Sequence, residues 1–216
     1  MDRLTNLYNY YKTDKGDDES YYGHHFGEFY EPFFRRYLEC CPNVLEIGVQ
    51  RGISILAHND YFYHNVELYG VDIDYSLLQF DVKYYDNIHL IHGNSLDPTI
   101  INQLSNNKFD IIIDDGSHLH TDMIMNLYNY HKLLSNNGLY ILEDLHCDYH
   151  ESYNKTNEHI VNMLLGRIPT PILTMEQNDE LFKCIDKIHI FDYINDATIL
   201  NSVGATSITM IIEFRK

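Results

Sequence analysis

The stretch Phe109-Asp110-Ile111-Ile112-Ile113-Asp114-Asp115-Gly116-Ser117-His118 decides the fold. Three successive isoleucines bounded by abrupt polarity predict a strand buried on both faces that delivers its last residues to a sheet edge. Two carboxylates, a glycine and an imidazole would then stand where such a sheet opens to solvent.

Four further runs share that grammar. Asn43-Val44-Leu45-Glu46-Ile47-Gly48-Val49-Gln50-Arg51-Gly52 reads as a strand passing into a glycine-containing turn, with a helix from Ser54. Glu67–Asp74 and Ile88–Asn94 read as strands ending in polar residues, and Gly138–Asp144 as a fifth that ends in Glu143 and Asp144. Ile188–Phe191 and Ser207–Phe214 look like closing strands, and Thr99–Leu104 and Met123–Leu134 have the length of crossover helices. Strands alternating with helices predict an α/β fold: a doubly wound, mostly parallel seven-stranded sheet with helices on both faces. Ligands of such sheets bind beyond the carboxyl ends of the strands. Here those ends carry Gly48, Asp72, Asp114, Asp115, Glu143 and Asp144.

The flanks are less regular. Residues 1–40 read as an N-terminal extension of helix and loop, with a helix over Tyr30–Leu38 that places Pro32 in its first turn, where proline is tolerated. Residues 147–183 are polar and weakly helical, suited to a lid, and 192–206 resemble an insertion. With no repeat and no evident linker, residues 1–216 are expected to form a single domain.

Formal net charge is -17, from 32 acidic against 15 basic residues. That surface repels a phosphate polyanion, so nucleic acid is disfavoured as a partner. No apolar run is long enough to span a bilayer, and Met1–Asn6 lacks the basic flank and apolar core of a signal peptide, so no membrane partner and a soluble, cytoplasmic protein are expected. Cys40, Cys41, Cys147 and Cys184 form no CxxC pair and are expected to be reduced thiols. The aromatic N-terminal region leaves room for a homo-oligomer.

The chemistry concentrates at the strand ends. Two glycines after the first strand, with Asp72 at the end of the second, fit a nucleoside-binding half in which the acid accepts from a ribose diol. The middle glycine of a full G-x-G-x-x-G is missing, and Glu46 precedes the turn. A carboxylate there attracts a cationic cofactor and repels a diphosphate, which favours S-adenosylmethionine over a dinucleotide. Asp115, Glu143 and Asp144 would repel one another unless protonated or bridged by a cation, and an all-oxygen set suits Mg²⁺. His118, three residues after Asp115, is placed to take a proton from a hydroxyl, with His120 and His146 near enough in sequence to be confused with it.

Taken together, Thr13-Asp14-Lys15-Gly16, Leu45–Val49, Tyr69–Asp74, Phe109–His118 and Leu142-Glu143-Asp144-Leu145 resemble the metal-dependent class I methyltransferases that act on sugar hydroxyls, the macrolide-sugar O-methyltransferase type. The resemblance spans most of residues 12–146. It implies Mg²⁺ held by Asp115, Glu143 and Asp144, His118 as general base, and Glu46, Gly48 and Asp72 in contact with S-adenosylmethionine. It adds Asn94, Ser95 and Asp114 as further cofactor contacts. Asn94 stands where the family usually has aspartate, and Asp114 is divided between the cofactor and local hydrogen bonding. The implied activity is O-methylation of a sugar or glycosylated small molecule. A non-haem iron oxygenase using His118 or His146 with the carboxylates, and a non-catalytic binding module, are the competing readings.

Overall fold

The computed structural model describes residues 3–17, 23–156, 158–194 and 206–215. Its centre is one seven-stranded sheet in the order β3-β2-β1-β4-β5-β7-β6. The strands are β1 (Asn43–Ile47), β2 (Glu67–Asp72), β3 (Ile88–His92), β4 (Phe109–Asp114), β5 (Leu134–Leu142), β6 (Ile185–Ile194) and β7 (Thr206–Phe214). The first five pair in parallel, while β7 runs antiparallel between β5 and β6. The chain starts in the middle of the sheet and winds outward to each side, so its switch point lies between β1 and β4, where doubly wound sheets bind ligands.

Period-two alternation sorts the side chains onto two faces. Leu45, Ile47, Ile112, Tyr140 and Leu142 enter one core, and Val44, Ile111, Ile113, Leu139 and Ile141 the other. Among the described residues, the helices are α1 (Arg3–Tyr11), α2 (Phe26–Phe34), α3 (Ile53–Tyr61), α4 (Pro98–Leu104), α5 (His120–Tyr130), α6 (Ile160–Gly166) and α7 (Met175–Cys184). Their ends follow local chemistry. Asp97 caps α4 by accepting from Thr99 N, with Pro98 in the first helical position where its missing N–H costs nothing. Thr174 and Gln177 form a reciprocal capping box at α7.

The N-terminal extension is built into the second core. Leu4 and Tyr8 of α1 pack with Phe26, Tyr30 and Phe34 of α2 and with Tyr61 and Phe62. The rings of Tyr30 and Phe34 stack at 5.5 Å between centroids, and those of Phe34 and Phe62 at 5.9 Å. Helix α2 begins earlier than its aromatic spacing implies, at Phe26, so Pro32 falls in the last turn rather than the first. The helix tightens into a 3₁₀ turn at Arg35–Tyr37 directly after it.

Residues 160–184, part of the segment read as a lid, place Ile160, Met163, Leu164, Leu181 and Phe182 in the first core. The expected insertion at 192–206 lies from residue 195 to 205 outside the described residues. Among the described residues, no helix is long and apolar enough to cross a membrane.

Candidate active site

Four backbone hydrogen bonds carry the sheet one residue past its strands. Gly48 N donates to Val71 O at 2.9 Å, Gly93 N to Asp72 O at 2.9 Å, Asp115 N to Ile47 O at 2.9 Å and Glu143 N to Asp114 O at 3.0 Å. The four loops therefore leave the sheet in register, and Gly48, Gly93, Asp115 and Asp144 from them border one cavity of about 450 Å³. Glu46, Gly48, Asp72, Asn94, Ser95, Asp115, His118 and Asp144 all line it. That volume lies in the range of small-molecule and cofactor sites.

At Gly48 the backbone needs a glycine. Its φ is 87°, and a Cβ built on it would stand 1.9 Å from the carbonyl oxygen of Asp115 and 2.9 Å from Gly116 Cα. The first turn thus crosses hard against the loop after β4. The turn is further fixed by Asp72, whose Oδ2 accepts from Val49 N and Gln50 N at 2.8 Å each, and whose Oδ1 accepts from Asp74 N at 2.9 Å. The acid expected to meet a ribose diol therefore also builds the loop, with acceptor capacity left mainly on Oδ1.

Glu46 is almost fully buried. Its Oε1 accepts from Ser54 Oγ at 2.6 Å, while Oε2 has no hydrogen-bond partner. Burial pushes its carboxyl up to about 7, with the ammonium of Lys15 and the Ser54 hydroxyl pulling the other way. The nearest cation-capable neighbour of Oε2 is His58 Nδ1 at 3.7 Å, beyond hydrogen-bond reach, so a carboxylate at the cavity wall keeps acceptor capacity for a cationic donor.

Past β4 and β5, Asp115, His118 and Asp144 each offer one ligand atom, and these three atoms lie within 4.8 Å of one another. His118 Nε2 is 3.8 Å from Asp115 Oδ1 and 3.8 Å from Asp144 Oδ2, too far for hydrogen bonds and wide enough to admit an atom between them. Asp144 Oδ1 is buried without a hydrogen-bond partner. His118 and Asp144 both hold left-handed backbone, at φ 57° and 54°. Such conformations collect at functional sites, although histidine and aspartate tolerate them better than most residues.

The structure separates the three expected metal carboxylates. Glu143 follows Ile141 in parity and so faces the second core, where Tyr30 Oη donates to its Oε1 at 2.7 Å and Lys15 Nζ binds its Oε2. The left-handed turn at Asp144 aims that carboxylate at the cavity instead. Asp115 joins the two groups: its Oδ2 takes Lys15 Nζ at 2.6 Å while its Oδ1 faces His118. Asp115, Glu143 and Asp144 outnumber the one ammonium of Lys15 at this edge, an excess of acid that suits a cation. Asp115 and Glu143 are both shifted above the usual carboxylate range, chiefly by burial, with Lys15 opposing.

Asp114 does not line the cavity. It shares parity with Ile112 and lies in the first core, where Tyr140 Oη donates to its Oδ2 at 3.0 Å and Asn126 to its Oδ1 at 3.5 Å. Burial pushes its carboxyl from 3.8 up to about 7. The folded protein therefore holds this proton over a range where the unfolded chain releases it. Stability is fully present below about pH 4 and is lost as pH rises towards 7. Asp114→Asn, which is neutral at every pH, is expected to flatten this slope. Chemical denaturation at pH 5 and pH 8 should show the variant gaining on the parent at the higher pH, by up to about 3 kcal/mol.

His120 and His146 also resolve. His120 Nδ1 is 2.6 Å from Asp148 Oδ1, inside the helical packing. His146 Nδ1 is 3.9 Å from Asp144 Oδ1, behind the carboxylate that faces the cavity. Lys15 of the Thr-Asp-Lys-Gly stretch carries no local signal of its place in the site, because the carboxylates it binds lie 100 and 128 positions further along the chain.

With this geometry the comparisons with known proteins agree. A sequence family described as a methyltransferase domain matches residues 45–145. The chain is 30% identical over 136 residues to demethylmacrocin O-methyltransferase of Streptomyces fradiae, a match covering 58% of this chain and 33% of the relative. It is 29% identical over 136 residues to mycinamicin VI 2''-O-methyltransferase of Micromonospora griseorubida, with the same shares covered. The chain spans about a third of the length of these relatives. The solved structure of MycE, a methyltransferase of the mycinamycin biosynthetic pathway in complex with Mg and SAH, superposes with a TM-score of 0.71 at 21% identity. That superposition covers 100% of this chain and 55% of MycE. A SAM-dependent methyltransferase from Archaeoglobus fulgidus aligns at a TM-score of 0.55 and 14% identity, covering 95% and 98%. The seven-stranded sheet has the class I methyltransferase fold of these solved structures.

Proposed function

We propose that this domain transfers a methyl group from S-adenosylmethionine to a hydroxyl of a sugar or glycosylated small molecule, with Mg²⁺ at the strand ends. The observation that carries the reading is the meeting of Asp115, His118 and Asp144 at the rim of the glycine-turn cavity. The named relatives, which are O-methyltransferases by their descriptions, support transfer to a hydroxyl oxygen.

Glu46 Oε2 would accept from the cationic end of the cofactor, Gly48 would let the backbone approach it, and Asp72, Asn94 and Ser95 would border its nucleoside. Asp115 and Asp144 would hold the metal, with Glu143 adding charge from behind through Asp115 and Lys15. When bound, the cofactor supplies an electrophilic methyl and the metal a positive charge that orients and acidifies an acceptor hydroxyl. His118 Nε2 faces the space between the two carboxylates and would take the hydroxyl proton there. The remaining contribution of the protein is alignment.

Calorimetric titration with S-adenosylhomocysteine tests the cofactor half: saturable binding is expected, and none would remove the methyltransferase reading. Asp115→Asn is expected to weaken Mg²⁺ binding by about tenfold or more, because it removes the charge shared by the metal cluster. Binding unchanged by that substitution would place the ion elsewhere. The mixed nitrogen and oxygen donors of His118, Asp115 and Asp144 also suit ferrous iron. Oxygen-dependent turnover with Fe²⁺, without use of the methyl donor, would favour the oxygenase instead.

A further inference from the structure

Lys15 sits 100 residues before Asp115 and 128 before Glu143, yet its ammonium binds both. It is only 2% exposed, and its Nζ lies 5.8 Å from the centroid of the Phe26 ring. The backbone around it is pinned to the start of α2. His24 N donates to Asp14 O at 2.7 Å, His25 N to Gly16 O at 2.9 Å and Gly27 N to Lys15 O at 3.2 Å. The position of Lys15 is therefore fixed by its backbone. An ammonium this deeply buried needs anionic partners, and the carboxylates of Asp115 and Glu143 supply them.

An ammonium held between carboxylates has two consequences. It satisfies charges that would otherwise be buried and unpaired, which is among the most destabilising arrangements in a protein. It also repels any second cation brought to the same carboxylates. We propose that Lys15 is a resident counter-cation of the strand-end carboxylates, keeping the site assembled without a divalent ion and limiting how tightly one binds. The second half of this proposal rests on the metal reading above, and the first half does not. The N-terminal extension is then a positioning element of the site as well as packing, since Lys15 and Tyr30 together fix both oxygens of Glu143.

Lys15→Met keeps the stem and removes the charge. In EDTA its melting temperature is expected to fall by about 10 °C, because Asp115 and Glu143 lose their partner. Adding Mg²⁺ should recover most of that loss, and calorimetric Mg²⁺ affinity should rise by about tenfold or more over the parent. Lys15→Met/Glu143→Gln, which removes a carboxylate with the ammonium, should melt closer to the parent in EDTA than the single variant does. Lys15→Arg should keep the parent's stability in EDTA. An unchanged melting temperature for Lys15→Met in EDTA overturns the proposal, as does Mg²⁺ affinity that falls. If the single variant does not fold, equal failure of the double variant overturns it and recovery by the double supports it. Absence of Mg²⁺ binding in the parent would remove the metal reading, while the melts in EDTA would still decide whether Lys15 is the site's counter-cation.

Discussion

Replacing His118 with alanine is expected to lower methyl-transfer turnover by about 100-fold or more, the usual contribution of a positioned general base. The expectation rests on its Nε2, which stands 3.8 Å from both Asp115 Oδ1 and Asp144 Oδ2 and bonds to neither. A proton acceptor must face the place where the acceptor hydroxyl is held, and no other imidazole among the described residues lines the cavity. The same geometry would let His118 serve as a metal ligand, so turnover alone does not separate the roles. A base can be removed with cofactor and Mg²⁺ affinity largely kept, whereas loss of a ligand weakens the metal. Titrating His118→Ala with S-adenosylhomocysteine and with Mg²⁺ distinguishes them: unchanged affinities with collapsed turnover are expected. Full turnover would take His118 out of the reaction.

Gly48→Ala is expected to have the largest structural effect of any single methyl group added to this domain. The new Cβ meets backbone, the Asp115 carbonyl at 1.9 Å and its carbon at 2.5 Å, so no side-chain rotation relieves it. Its φ of 87° adds the strain that any L-residue suffers there. The ends of β1 and β4 must separate, at a cost of roughly 2–5 kcal/mol in stability from overpacking and backbone strain together. Because Asp115 moves with the loop, the substitution should abolish both S-adenosylhomocysteine and Mg²⁺ binding even at temperatures where the variant remains folded. Thermal melting with calorimetry on the folded fraction checks this. A variant that melts like the parent would mean that the close crossing is absent in solution.

The fold was legible because its decisive elements are short, strongly apolar and abruptly ended. Ile111–Ile113 can hardly be anything but a buried strand, and the acids closing β2, β4 and β5 mark the edge where the cavity opens. Helix boundaries were less so. The start of α2 at Phe26 was hidden by a run of aromatics that is periodic from either end, and this moved Pro32 by a full turn. Of the site, Asp115, His118 and Asp144 were readable from position along the strands, and they meet.

The roles of Glu143 and Asp114 follow from side-chain parity, a signal present in the sequence. Glu143 alternates with Leu142 and so turns toward Tyr30 and Lys15, while Asp114 alternates with Ile113 and so turns toward Tyr140. Treating adjacent acids as convergent overlooks that adjacent strand residues face opposite ways. Lys15 was not readable at all from local pattern, because its partners lie more than a hundred positions away in the case of Glu143 and a hundred in that of Asp115. Only the folded N-terminal extension brings that charge to the sheet.

The central claim is metal-assisted methyl transfer to a sugar hydroxyl, and one measurement meets it directly. The chain is incubated with S-adenosylmethionine carrying a labelled methyl group, a set of deoxyhexosyl and rhamnosyl glycosides, and Mg²⁺, with and without EDTA. Label is expected on a glycoside hydroxyl oxygen in Mg²⁺ and absent from it in EDTA. Transfer that proceeds equally well in EDTA, or label that goes to nitrogen or carbon instead of oxygen, would contradict the account.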